Sequence, residues 1–413
     1  MTGAGPGRVV ILSDFATVRG GASKLAVMQA GQLTRQGVPV TFFTGDSEAD
    51  LPAGVDLVSL GGRRLLDQGK LEAAIAGLWN RKAEVLLRDW IASNDTPATI
   101  YHVHGYHQTL SPSVLAPLKR VRNRTVMHAH DYFLACPNGA FFDFRAARTC
   151  NRQALSWPCI ARNCDKRNYG HKLWRVARQT LQNRARSRLL PEVGTILLHD
   201  GMQRRLFPQG GGGQVFSIAN PADPMLANPV AAERNRALVF VGDIHEYKGV
   251  FVLAEAGRRA GLSVVFAGAG QDLSRLREEY PEHHYAGWQD REGLCRILAE
   301  ARLLVAPTLG PEPFGLAPVE ALLSGVPVII SDEMLLGREI ETRDMGRVFR
   351  AGDSEALAKL LAELAGDDAR VALMSRNAVA RGRELSLSSE AWCAALTEIY
   401  ERLLEDAGRD ARA

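Results

Sequence analysis

The sequence predicts an α/β protein made of two doubly wound parallel sheets. Three observations carry that reading. Short β-branched runs alternate with helical stretches of about 10 to 15 residues, the pattern of strands joined by crossover helices. The alternation occurs twice, once in each half of the chain. A length of 413 residues exceeds one ordinary core and suits two domains of roughly 200 residues. Two such Rossmann-like domains in tandem would face a central cleft, and ligands of such sheets bind outside the carboxyl ends of the strands.

The elements follow in order. Residues 8–14, Arg-Val-Val-Ile-Leu-Ser-Asp, read as a strand buried on both faces. A loop with Gly20-Gly21 leads into a helix over 22–36, which Gly37 closes. Strands are expected at 38–43, 99–103 and 125–129, with a helix at 112–120. A strand at 215–219 completes the first domain. The second half offers strands at 237–241, 263–267, 284–286, 303–306 and 326–331. Helices at 250–260, 273–279, 291–301 and 316–323 lie among them, and 355–365 and 390–407 are helical. The glycine run 210–213 is one candidate linker; the Pro-rich 221–235 is preferred. The expected domains are therefore 1–222 and 223–388, with a C-terminal helix in 389–413 packing back on the first.

Composition excludes several classes. Hydrophobic residues at 46% and charged residues at 23% rule out wholesale disorder. No window approaches the ~18 apolar residues of a membrane span, and the first apolar run is too short for a secretory leader. The expected location is therefore cytoplasmic. Net charge is only +4, yet 145–188 holds twelve Lys or Arg against the single acid Asp165, a local +11 that leaves about −7 for the remainder.

The most informative segment is 307–327, Pro-Thr-Leu-Gly-Pro-Glu-Pro-Phe-Gly-Leu-Ala-Pro-Val-Glu-Ala-Leu-Leu-Ser-Gly-Val-Pro. A strand ends, a Gly/Pro loop follows, and a helix begins near Leu316. Free N–H groups and the positive dipole end at such a helix start suit a phosphate. Glu312 in the loop and Glu320 on the helix offer carboxylate oxygens that accept hydrogen bonds from hydroxyl groups. The bland alternative is an ordinary helix entry with an exposed Glu312.

The Glu-x7-Glu spacing, with Phe314-Gly315 between and Ser-Gly-Val-Pro-Val after, resembles the retaining family 4 glycosyltransferases of the GT-B fold. Further matches come in the expected order: Gly20-Gly21-Ala22, His130, Asn220-Pro221, Val241-Gly242, Lys248-Gly249, and Phe266-Ala-Gly-Ala-Gly270 before Gly287-Trp288. The resemblance implies that Glu320 holds the ribose hydroxyls of a nucleotide-sugar donor and that Glu312 faces the transferred sugar. It also implies that backbone N–H groups of Phe314, Gly315 and Leu316 serve the sugar and phosphates. Lys248, one of only eight lysines, would neutralise the diphosphate leaving group. His130 would face the donor sugar, and Gly20, Gly21, Asn220, Gly242, Asp243 and Gly268 complete the expected donor site. One departure stands out: Asp243 occupies a place where the family usually carries Arg, and either His245 or an Arg from elsewhere replaces it or the phosphates rely more on the helix N-terminus. No Asp-x-Asp flanked by apolar strand residues appears, so no catalytic metal is expected.

Other features stay open at this level. His102, His104, His128 and His130 fall at two strand ends, either as core and loop polarity or as metal ligands. The Gly268-Ala-Gly270 pair lacks the third glycine of a dinucleotide fingerprint, because residue 273 is Leu. Cys136, Cys150, Cys159 and Cys164 fall within 29 residues, in a basic insertion expected at about 133–190. Structural zinc and buried thiols are the two readings. Phe141, Phe142, Phe144 and Trp157 supply apolar bulk for that insertion. In 171–190, Leu173, Ala177, Leu181, Ala185 and Leu189 recur every four residues with arginines largely elsewhere. This describes either a helix on an anionic membrane surface or one packed on the sheet with solvated arginines.

The resulting expectation is a retaining glycosyltransferase that uses a UDP- or GDP-sugar and a hydroxyl acceptor, carbohydrate or lipid-linked, in surface or exported polysaccharide synthesis. It would work in the cytoplasm or peripherally at the inner face of the membrane, with no nucleic-acid partner. The competitors are a GT-B-like epimerase or phosphorylase, and a non-catalytic sugar-nucleotide or nucleic-acid binder.

Overall fold

The computed structural model describes residues 5–62, 69–189, 191–210 and 213–410. Leu190 and residues 211–212 of the glycine run lie outside them. The strands in chain order are β1 (Arg8–Ser13), β2 (Val40–Asp46), β3 (Val55–Gly62), β4 (Thr99–Val103), β5 (Thr125–Ala129), the hairpin β6 (Phe142–Asp143) and β7 (Arg148–Thr149), β8 (Gly194–Leu197) and β9 (Val215–Ser217). The second half adds β10 (Ala237–Val241), β11 (Val264–Ala267), β12 (His284–Gly287), β13 (Ala301–Ala306), β14 (Val328–Ser331) and β15 (Gly346–Phe349).

Two parallel sheets result, ordered β3-β2-β1-β4-β5-β8-β9 and β12-β11-β10-β13-β14-β15. In each, the chain starts in the middle, runs to one edge, then crosses to build the other side. The order reverses between β1 and β4 and again between β10 and β13. Such a reversal parts the helices at the strand ends and opens a crevice there. The fold is α/β, with two doubly wound parallel sheets. β1 is fully buried from Val9 to Leu12, as a β-branched run covered on both faces requires. The helix Gly21–Arg35 stops where Gly37 takes a positive φ of 78°.

The chain divides into two compact units. The first holds residues 1–139, 152–218 and 389–413, the second 140–151 and 219–388. The expected insertion is thus not one body: 140–151, with Cys150 and the β6–β7 hairpin, belongs to the second unit. Asn220 also belongs there, since the division falls four residues before the one read from the Pro-rich stretch. The helix Ser389–Asp410 belongs to the first unit, where Trp392, Leu396, Tyr400 and Leu403 are buried.

Three further differences have local causes. The helix expected at 112–120 is broken into Pro112–Val114, Leu115–Leu118 and Lys119–Arg124. Ser111 holds a positive φ of 66° before Pro112, and Val121 leaves helical geometry. Strands β3 and β15 escaped the reading because both are sheet edges with one partner and partly exposed faces, so their apolar pattern is weak. The helix Tyr169–Ser187 buries Lys172, Arg178, Gln179, Gln182 and Ala185, whereas Leu173 is 43% exposed. Its buried face is mostly polar, and the apolar stripe is buried only at its C-terminal end, at Ala185 and Leu189. Trp157, expected to fill the insertion, is 78% exposed.

Candidate active site

In the second unit the polypeptide crowds at the carboxyl ends of β10, β11 and β13. Gly242 donates its N–H to Ala267 O, and Gly268 to Gly287 O. A Cβ on Gly268 would lie 1.8 Å from Gly242 O, and one on Gly249 would lie 1.9 Å from Pro307 O. Both positions therefore demand glycine, and Gly249 also holds φ at 74°. The approach of Gly249 to Pro307 sets Lys248 beside the loop that carries Glu312. The Lys248 Nζ donates to Glu312 Oε2 at 2.6 Å, and both side chains keep solvent access.

Glu312 is fixed from the other side as well. Its N–H donates to Glu333 O, and its carbonyl accepts from Leu335 N–H. Tyr247, next to Lys248, donates its hydroxyl to Pro311 O at 3.1 Å. The β6–β7 hairpin braces this pair of loops: the Phe142 ring meets Tyr247 edge-on at 4.8 Å, and the Thr149 hydroxyl donates to Leu309 O. Sequence reasoning assigned the hairpin to the other domain and missed this role.

Gly315, at a positive φ of 78°, starts the helix Leu316–Leu323, whose first turn has no side-chain cap. Pro318 in that turn carries no N–H. The N–H groups of Leu316 and Ala317 are thus left to donate to a ligand oxygen. Phe314 is buried beneath, and Glu320 lies half-buried on the same helix. Asp243 packs near Gly270, where an added Cβ would meet its Oδ1 at 2.7 Å. His245 Nδ1 accepts the Tyr247 N–H and lies 3.8 Å from Asp272 Oδ2, so that imidazole is already engaged by its neighbours. The Oδ1 of buried Asn220 has no hydrogen-bond partner among the described residues.

The first unit has its own pocket, of about 1080 Å³, at the β1/β4 crossing point. Gly20, Gly21, His104, His130, Asp131 and Arg178 all line it. At Gly20 the backbone is extended (φ 171°), and a Cβ there or at Gly21 would meet nothing within 4 Å. Neither glycine is demanded by the fold, which leaves room for a ligand against that backbone.

Behind His130 runs a buried hydrogen-bonded chain. His130 Nε2 meets His104 Nδ1 at 3.0 Å, and His104 Nε2 meets Gln29 Oε1 at 2.6 Å. The Gln29 amide nitrogen and the Tyr400 hydroxyl both meet His102 Nδ1, at 3.0 and 2.6 Å. His102 Nε2 faces His128 Nδ1 at 3.3 Å. With the amide oxygen of Gln29 as acceptor, His104 carries its proton on Nε2 and accepts at Nδ1 from His130 Nε2–H. His130 then keeps Nδ1 as its basic nitrogen. Burial pushes His102, His104 and His128 well below the usual histidine range, and His130 down to about 3. These imidazoles are neutral. Nitrogens of His102, His104 and His128 lie within 4.8 Å of one another, a spacing a metal would accept, but all except His128 Nε2 are engaged as described.

Two carboxylates in the same pocket were not foreseen. Asp14, at the end of β1, accepts the backbone N–H groups of His107, Gln108, Thr109 and Leu110. It thereby fixes the loop after β4. Asp131 accepts the Phe133 N–H at 2.8 Å, and burial lifts its carboxyl to about 7.

The cysteines separate by unit. Cys136, Cys159 and Cys164 gather at the buried Lys172 in the first unit: Lys172 Nζ donates to Cys159 Sγ at 3.5 Å, and Asn138 bridges Cys136 and Cys164. Burial alone would lower the Lys172 ammonium, but the neighbouring thiols, Cys164 first, raise it on balance. A donor set of soft sulfur beside a fixed cation suits a thiolate-bound metal such as Zn²⁺.

The chain is similar to known proteins in part of its sequence and, across its length, in its fold. Residues 225–381 match the family described as glycosyl transferases group 1. The phosphatidyl-myo-inositol mannosyltransferase of Mycobacterium leprae is 30% identical over 214 residues, 48% of this chain and 54% of the relative. The lipopolysaccharide core biosynthesis mannosyltransferase LpsB of Rhizobium meliloti is 35% identical over 108 residues, 25% and 29% of the two chains. The chain spans about half the length, or less, of these curated relatives. Among solved structures, sucrose-phosphate synthase from Thermosynechococcus elongatus superposes with a TM-score of 0.70 at 17% identity, over 97% of this chain and 99% of that one. Anabaena HepE in complex with UDP gives 0.65 at 16% identity, over 95% and 99%. These likenesses carry the fold.

Proposed function

We propose that this chain, whose second unit holds a glycosyl transferases group 1 domain within a GT-B fold, is a retaining glycosyltransferase that uses a UDP- or GDP-linked sugar. The observation that carries the proposal is the Lys248–Glu312 pair, set beside the uncapped start of the helix Leu316–Leu323. Lys248 and the amides of that helix start neutralise the departing diphosphate, a preorganised electrostatic role worth orders of magnitude in rate. Glu312 accepts hydrogen bonds from the sugar, assisted by the backbone of Phe314, Gly315 and Leu316. Glu320 receives the ribose hydroxyls. Gly242, Gly268, Asp243 and Asn220 shape the donor surface of the second unit, and Gly20 and Gly21 serve phosphate or acceptor oxygens in the first.

The bond from the anomeric carbon to the donor phosphate breaks, and the acceptor oxygen bonds to that carbon on the same face. The acceptor proton passes to the leaving diphosphate, so no protein nucleophile or catalytic metal is required. His130 stays neutral through the step and orients sugar hydroxyls with Nδ1. The acceptor is a carbohydrate or lipid-linked saccharide of surface polysaccharide synthesis, reached by a protein working peripherally at an anionic membrane. No helix among the described residues is long and apolar enough to cross a membrane.

The test is nucleoside-diphosphate release from sugar nucleotides with and without candidate acceptors. Acceptor-dependent release, slowed about 10²-fold or more by Glu312→Ala, is the expected result; unchanged release in the variant rejects the assignment, and acceptor-independent turnover points to an epimerase. For the cysteines we propose a structural zinc held by Cys136, Cys159 and Cys164. Elemental analysis should find about one zinc per chain, lost when these residues are changed to serine, with Cys150→Ser run as a separate variant. Zinc-free purified protein would return them to the status of buried thiols.

A further inference from the structure

The pocket of the first unit contains a buried cation that lacks a carboxylate partner among the described residues. Arg178 is 4% exposed, and its guanidinium is clamped between rings, 5.3 Å from the Phe133 centroid and 5.1 Å from that of Trp174. Its Nη1 donates to His107 O at 3.1 Å, whereas its Nη2 is buried with no hydrogen-bond partner among the described residues. Tyr106 lines the same pocket, and its hydroxyl is likewise buried without a partner there. Leaving a buried donor unpaired is costly, and more so when it is charged. Two such donors in one pocket call for an acceptor group from outside the chain.

The neighbouring charges do not supply it. Arg19 pairs with Asp46 and Glu48, and Arg175 with Asp165 at 2.8 Å. Asp14 is spent on the backbone of residues 107–110. Asp131 is held toward its neutral form by burial. The guanidinium lies over two rings with Nη1 engaged, so the partner its buried Nη2 calls for is an oxyanion.

We propose that this pocket binds the acceptor substrate through an anionic group, a phosphate ester or a carboxylate, seated on Arg178 Nη2 and the Tyr106 hydroxyl. The word acceptor rests on the glycosyltransferase reading; the anion seat rests on the first unit alone.

Titration of the full chain with inorganic phosphate and with acetate, against chloride at equal ionic strength, tests it, with and without saturating UDP or GDP. Phosphate or acetate should bind saturably and independently of the nucleotide, and which of the two binds distinguishes the phosphate from the carboxylate source. Arg178→Gln should weaken that binding at least about tenfold, Arg178→Lys less, and nucleotide binding should stay unchanged in both. Tyr106→Phe, which removes only the hydroxyl, should weaken it about threefold and serves if the Arg178 variants fold poorly. The proposal is overturned if neither anion binds better than chloride, if Arg178→Gln and Tyr106→Phe bind as the parent does, or if the nucleotide displaces the anion. Loss of nucleotide binding by the parent protein would instead strike the function reading and leave the anion seat standing.

Discussion

Asp131 stands next to His130 in the wall of the first-unit pocket, and its titration should be visible in the stability of the protein. Its carboxyl holds a proton to about pH 7 in the folded chain, against an ordinary value of 3.8. A group raised in this way contributes stability below pH ~4 that is lost as pH rises through ~7, at about 1.4 kcal/mol per unit. Asp131→Asn keeps an oxygen for the Phe133 N–H but cannot ionise. It should remove that component of the slope and raise Tm at pH 8 relative to the parent. Thermal melts of both proteins between pH 4 and 8 measure this, and parallel curves would contradict the burial of the Asp131 carboxyl. The residue was not legible in the sequence, because an Asp after a strand is an ordinary loop residue until the walls around it are known. Glu312 and Glu320 could be singled out because their spacing runs along one short loop and helix, and Lys248 because it precedes Gly249 shortly after β10. Arg178 was hidden by its helix, whose buried face is mostly polar and so defeats the usual rule that apolar periodicity marks the inside.

At the scale of elements, the two sets of glycines should behave oppositely. Gly249 and Gly268 sit where backbone meets backbone, with room for no Cβ. Gly268→Ala and Gly249→Ala should each cost about 1–3 kcal/mol or more, read as a lowered denaturation midpoint. Gly20→Ala meets nothing and should fold as stably as the parent; a loss of turnover in that variant would mark a ligand against its backbone. Equal destabilisation at Gly20 would show that the turn itself needs glycine. The hairpin of Phe142 and Thr149 belongs to the same scale. Two-residue strands leave no periodicity to read, and the hairpin's tie to the Tyr247 and Leu309 loops is a long-range contact that no local pattern announces. The interior strands β1, β4, β5 and β10 were readable because β-branched and apolar residues dominate them between turns, whereas the interior β8, only four residues long, was not read.

At the scale of the whole molecule, five histidines of the first unit, three of them buried, set the response to acid. His102, His104, His107, His128 and His130 are all depressed by burial, His107 and His130 to about 3. A depressed histidine contributes stability present above ~6.5 that is lost as pH falls, by about 1.4 kcal/mol per unit for each independent group. This outweighs the single opposing Asp131. The first unit, including the C-terminal helix that buries Trp392 and Tyr400 against it, should therefore unfold at lower temperature as pH drops from 7 to 5, while the second unit changes less. Two resolved calorimetric transitions, of which only one moves, would be the signature; acid-insensitive melting of both would contradict the neutral cluster. The two-sheet architecture was legible at this scale from alternation alone. The assignment of 140–151 to one unit and 389–410 to the other was not, since chain crossings between compact bodies leave no mark in composition.

The most direct test of the central claim is a thermal-shift series with UDP, GDP and ADP on the parent chain and on Lys248→Ala. A ligand at 100 times its Kd adds about 2.7 kcal/mol. One nucleoside diphosphate should stabilise the parent selectively by about that amount, and the variant should lose most of the shift. No stabilisation by any of the three, or an equal shift in both proteins, would contradict a nucleotide-sugar site built on Lys248.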